Sequence, residues 1–214
     1  MKAICFCIVC LLCAPLAAFA DDEVASCHCY QDQGVNKDGI VPDDLLLTTT
    51  QNSIMSVIYQ VPKQVVVQNK MLGTGGDDLW VAFELAKQTQ RPWNELLLQR
   101  RQSDSWHAVL QNQGLGLPKI LRDQPEERWG TVIVDSQAIQ LFGLGLEDVA
   151  RLRQQGVGDQ EVLLAALLSW KTGRPSGLIY QEALADNSGW GTLALVANIP
   201  ADKIDGLVQT AIQR

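Results

Sequence analysis

Residues 53–96, SIMSVIYQVPKQVVVQNKMLGTGGDDLWVAFELAKQTQRPWNEL, decide the fold, because the chain repeats their pattern further on. Laid without a gap against residues 136–179, SQAIQLFGLGLEDVARLRQQGVGDQEVLLAALLSWKTGRPSGLI, they match at nine of 44 positions, at an offset of 83 residues. Chance pairing of ordinary compositions gives about three. The identities are Ser53/Ser136, Val66/Val149, Gly73/Gly156, Gly75/Gly158, Ala82/Ala165, Leu85/Leu168, Thr89/Thr172, Arg91/Arg174 and Pro92/Pro175. They fall on glycines before a helix, on an Arg-Pro turn and inside an apolar face. After one inserted residue Trp106 meets Trp190, Leu115 meets Ile199 and Ile120 meets Ile204. A period of this length is the mark of a stacked or duplicated architecture.

Within each copy a turn pair is followed by an apolar residue four positions on. The first copy has Val61-Pro62…Val66, Arg91-Pro92…Leu96 and Leu115-Gly116…Ile120; the second has Leu144-Gly145…Val149, Arg174-Pro175…Ile179 and Ile199-Pro200…Ile204. Proline suits the first turn of a helix, where its missing N–H would be unpaired anyway. The spacing of these starts accommodates helical hairpins. Residues 77–90 are expected to be helical, since Leu79, Ala82, Phe83 and Ala86 stand at i, i+3, i+4 and i+7. Residues 130–134, Gly-Thr-Val-Ile-Val, are the one β-branched run and are expected to form a short extended linker between copies. The fold class is therefore all-α, two homologous halves of helical hairpins. The expected organisation is a signal peptide over 1–20, a polar leader over 21–47, one half over 48–131 and the other over 132–214.

Residues 1–20, MKAICFCIVCLLCAPLAAFA, read as a secretory signal: Lys2, an apolar run too short to span a bilayer, and Ala18-Phe19-Ala20 as a cleavage site. Val24-Ala25-Ser26-Cys27 offers a competing lipobox reading with a lipid anchor at Cys27, against which stand Asp21, Asp22 and Glu23. Export to a periplasm or medium, in a bacterium, is the expectation, with no transmembrane segment. The net charge of −7 opposes nucleic acid, whose phosphates demand neutralisation. Four of six cysteines lie within residues 1–20, so the remainder depends on a hydrophobic core and not on a disulfide framework.

Cys27-His28-Cys29 is the one cluster carrying redox or metal chemistry. Thiolates with an imidazole suit copper or zinc, yet a closed zinc site wants four ligands and the only other histidine is His107. A Cys27–Cys29 disulfide, a bond to another chain, lipidation of Cys27 and metal binding all remain open readings. Trp106 and Trp190, kept in both copies, are expected to anchor the core. Trp170 takes the place of Lys87, and Trp93 the place of Ser176; sites that accept Lys or Ser elsewhere point to exposure, so Trp93 and Trp170 are expected to form a binding surface. Gly73-Thr74-Gly75-Gly76 lacks the Lys-Ser/Thr of a phosphate loop and runs into Asp77-Asp78. Asp32, Asn36, Asp38 and Gly39 fail the spacing of a calcium loop. No nucleophile–base motif accompanies either histidine, and Glu126-Glu127 reads as surface charge.

Residues 89–106 and 172–190, with their Arg-Pro turns and Ser/Gly-Trp helix starts, resemble segments of exported bacterial helical proteins of unknown function that carry Ser-Gly-Trp or Ser-Trp repeats. The Cys27-His28-Cys29-Tyr30 opening resembles the same group. The resemblance spans most of the chain beyond residue 20, rests on short structural motifs and implies no activity. The leading expectation is a non-catalytic envelope module that binds a protein, glycan or small ligand. The rivals are a thiol-redox or metal protein acting through Cys27, His28 and Cys29, and a cell-wall hydrolase.

Overall fold

The computed structural model describes residues 39–213 apart from 186 and 187. Every proline among them stands at the N-cap of a helix or 3-10 turn: Pro42, Pro62, Pro92, Pro118, Pro125, Pro175 and Pro200, with φ from −52° to −71° and ψ from 126° to 146°. They lie one residue earlier than a first-turn proline would. The ring fixes φ for either position, and the N-cap's polyproline-like ψ leaves the proline carbonyl free to start the helical ladder. Thus Pro62 O accepts from Val65 N at 2.8 Å and from Val66 N at 3.3 Å.

The described residues are all helical or looped, with no strand. The first five helices are α1 (Asp43–Tyr59), α2 (Lys63–Met71), α3 (Gly76–Thr89), α4 (Trp93–Arg101) and α5 (Trp106–Asn112). The other six are α6 (Trp129–Phe142), α7 (Leu146–Gln154), α8 (Asp159–Thr172), α9 (Ser176–Ala183), α10 (Trp190–Val196) and α11 (Ile204–Ile212). Helices α2 and α7, and likewise α3 and α8, begin and end 83 residues apart; α5 and α10 stand 84 apart. Helix α3 falls within one residue of its expected span. The cap residues also correspond: Gln60 and Gly143 end α1 and α6, Gln90 and Gly173 end α3 and α8, and all four adopt the left-handed conformation.

Three expectations need correction. Residues 130–134 are not an extended linker; they open α6, with Ile133 and Val134 fully buried, because packing on both sides outweighs the modest helix penalty of β-branching. Leu115-Gly116 starts no α-helix, for only the 3-10 turn Lys119–Leu121 follows, although Leu121 is buried. Helix α1 begins at Asp43, inside the stretch assigned to the leader, and residue 131 lies within α6 rather than between halves.

Packing explains why α3 and α8 are buried at every consecutive residue over 79–85 and 162–168. Helix α3 packs on α6, α8 packs on α1, and α6 packs on α8, while α11 closes over α1. Each half thus sends its central helix, α3 or α8, against the first helix of the other, and all described residues belong to one compact unit. Leu79, Trp80, Leu85, Ile54, Met55, Trp129, Ile133, Leu163 and Leu164 are fully buried in the shared core. A helix buried on all sides has no polar face. The apolar residue one turn past each turn pair serves this core, with Val66, Leu96, Val149, Ile179 and Ile204 buried. Among the described residues no helix is long and apolar enough to cross a membrane.

Candidate functional site

A cavity of about 330 Å³ opens where α1 ends, lined by Ile58, Tyr59, Gln60, Val61, Phe83, Ala86, Lys87 and Trp93. The local sequence dictates this wall. Gln60, in the left-handed conformation at φ 54°, turns the chain out of α1, and its N–H donates to Ser56 O. Phe83, Ala86 and Lys87 stand at i, i+3 and i+4 of α3 and so share one face. Trp93 is the first residue of α4, set by the Arg91-Pro92 turn.

Three aromatic rings meet here. Phe83 lies 5.5 Å from Tyr59 and 5.4 Å from Trp93 between centroids, the latter edge-on at 73°. The Lys87 ammonium stands 5.8 Å over the Tyr59 ring. Behind the rings lies a buried carboxylate: the Tyr59 hydroxyl donates to Glu84 Oε2 at 2.9 Å, and Gln88 Nε2 donates to Glu84 Oε1 at 2.6 Å. Burial, reinforced by the Glu84 charge and hydrogen bond, pushes the Tyr59 phenol far above its ordinary range, so it is a fixed hydrogen-bond donor and not a proton acceptor.

The second half provides a built-in comparison. At the offset of 83, Tyr59 becomes Phe142, Glu84 becomes Leu167, Lys87 becomes Trp170 and Trp93 becomes Ser176. Phe142 and Trp170 pack with centroids 6.3 Å apart, and Leu167 is fully buried. The same helices therefore fold without a phenol, carboxylate or ammonium at the counterparts of Tyr59, Glu84 and Lys87. Trp93 and Trp170 are both half-buried against the core; Trp93 lines the cavity of the first half, and Trp170 packs on Phe142 in the second. Ser176 is buried, so a small polar residue in one copy did not mark exposure in the other. Trp106 and Trp190 are each 3 % exposed; the Trp106 indole N–H donates to Asp78 Oδ1 at 2.8 Å.

Two other polar groupings have structural work. Glu126 is no ordinary surface carboxylate: its oxygens accept from Trp106 N at 2.6 Å and His107 N at 3.0 Å and lie 2.6 Å from His107 Nδ1, fastening the start of α5. Burial alone would raise its pKa, but these bonds hold it below the usual range. Within the second half, Arg153 Nη2 pairs with Asp135 at 2.7 Å and Asp159 at 2.6 Å. Burial, with the charges of Asp159 and Asp78, raises Asp77 nearby, and Arg153 partly offsets it.

Cys27, His28 and Cys29 lie outside the described residues, as do residues 1–20. Among the described residues no group of three His, Cys, Asp or Glu could hold a metal ion. The sequence reading assigned none of Tyr59, Phe83, Glu84 and Lys87 to a site; it placed Phe83 on an apolar helix face and Lys87 at an exposed position. Their signal was present: Glu84 is a lone charge between Phe83 and Leu85 in an apolar run, and it is matched by leucine in the other copy. No protein-family model matches this chain, and comparison with curated proteins and with solved structures finds no significant match either.

Proposed function

We propose that this is an exported, non-catalytic binding module whose ligand niche is the cavity beside Trp93. The observation that carries the reading is the paired difference between halves. One corner concentrates Tyr59, Glu84, Lys87 and Trp93, while its counterpart builds the same helices from Phe142, Leu167, Trp170 and Ser176. A buried carboxylate is a poor route to stability, since well-packed apolar replacements are commonly neutral or stabilising. Its presence in only one copy is explained by use, not by folding. The niche has the mixture expected of a small-ligand site, apolar and aromatic walls with a few polar groups, and it lacks a nucleophile–base pair.

The test transplants the second half's residues. Tyr59→Phe with Glu84→Leu is expected to unfold at an equal or higher temperature than the native chain. Ligand-observed NMR with a fragment mixture should find fragments that bind the native chain and lose binding to this variant and to Trp93→Ala. A folded variant that retains every fragment would sink the reading. The export component is checked by the intact mass of protein recovered from an envelope fraction: a chain beginning at Asp21 or at an acylated Cys27 fits, and one retaining residues 1–20 does not.

A further inference from the structure

We infer that the niche selects a small free monocarboxylate carrying an aromatic ring, with the ring against Tyr59, Phe83 and Trp93 and the carboxylate at Lys87; this rests on the binding reading above. Shape and charge each narrow the class. A cavity of about 330 Å³ is near the lower end of the about 300–1,000 Å³ typical of small-molecule sites and admits one ring with a short tail. Ile58, Val61, Phe83 and Ala86 offer nothing to a hydroxyl, and only Gln60, Lys87 and the Trp93 indole could bond one, so a sugar with many hydroxyls would recover few of the bonds it makes to water. Aromatic rings stack or meet edge-on at the separations already adopted by Phe83 and its neighbours.

The sign of the charge follows from which ion faces the cavity. Lys87 lines it and is exposed, so its ammonium is available to an entering ligand. Glu84 does not line it; both carboxylate oxygens are engaged, one by Tyr59 and one by Gln88. An aromatic cage with a carboxylate would suit a cation, but here Lys87 already stands over the Tyr59 face and would repel one. The net charge of −7 opposes anions at long range, yet that field is screened within about 8 Å at physiological salt. At the niche the local ammonium decides.

The experiment compares three probes of one shape: 3-phenylpropionate, 3-phenylpropanol and 3-phenylpropylamine. Binding is read by ligand-observed NMR and by the part of the tryptophan emission change that Trp93→Phe removes. The acid is expected to bind about fivefold more tightly than the amine, the range of an exposed charge contact. Lys87→Glu, at an exposed position where folding is not at stake, should invert that order. If the alcohol or amine binds as well as the acid and Lys87→Glu changes nothing, the carboxylate assignment is overturned while the niche stands. If none of the three shows Trp93-dependent binding up to about 10 mM, above the Kd of even a weak site, the niche falls with it.

Discussion

Lys70 shows how much one position can differ between the halves. Its counterpart Arg153 meets two carboxylates, Asp135 and Asp159, whereas Lys70 Nζ donates to a neutral amide oxygen, Gln51 Oε1, at 2.5 Å. Burial then lowers its pKa from 10.5 to about 8. The unfolded chain therefore holds a proton that the folded chain has lost between these values, and stability rises with pH through that window. Tyr59 acts oppositely once unfolded phenols ionise near pH 10, because the folded phenol keeps its proton. The Lys70 effect is thus readable between about pH 8 and about pH 10. Allowing for partial solvent access, urea unfolding should gain about 1 kcal/mol of stability across it. Lys70→Met should flatten the rise and increase stability at neutral pH; a native chain with a flat profile there would contradict this account.

At the scale of the element, α3 and α6 approach closely at one glycine. A Cβ on Gly130 would come within 2.8 Å of the Asp77 backbone, so α6 can pass the start of α3 only with glycine at that point. Gly130→Ala should cost about 1–3 kcal/mol by overpacking, despite alanine's better helix propensity, and calorimetry would register it as a lower Tm. An unchanged or higher Tm would mean that the two helices part easily. This crossing also shows where sequence reading reached its limit. Helix α3 was legible from its period, and Val66, Leu96, Val149 and Ile179 from their distance to a turn, because both signals are local. Residues 130–134 were not legible, because β-branched residues enter a helix there on account of α3 and α8, which are distant in sequence. The niche failed for the same reason: Tyr59 and Glu84 are 25 residues apart, and only folding joins them. The exposure inferred for Trp93 from Ser176 assumed equivalent burial, and the two corners are filled differently.

The described residues form one compact unit because their two halves exchange partners. Helix α1 rests on α8 and α11, and α6 rests on α3. Lys63 of α2 adds a 3.0 Å ion pair to Asp205 of α11, across 142 residues of chain. Neither half should fold alone. Residues 39–124 expressed separately would expose Leu46, Ile54, Leu79 and Trp80, which the intact chain buries completely. The fragment is expected to show weak helicity and no cooperative melt by circular dichroism; a sharp, reversible transition would show that the halves are autonomous.

That exchange of partners sets an order in time. Helix α1 emerges early from the ribosome, but the helices that cover it come last, ending with α11 at Ile204–Ile212. At about 5–20 residues per second the apolar side of α1 waits on the order of ten seconds or more for its cover. Until α11 is made the growing chain therefore leaves that side of α1 uncovered, and the fold of the described residues closes only with its last helix.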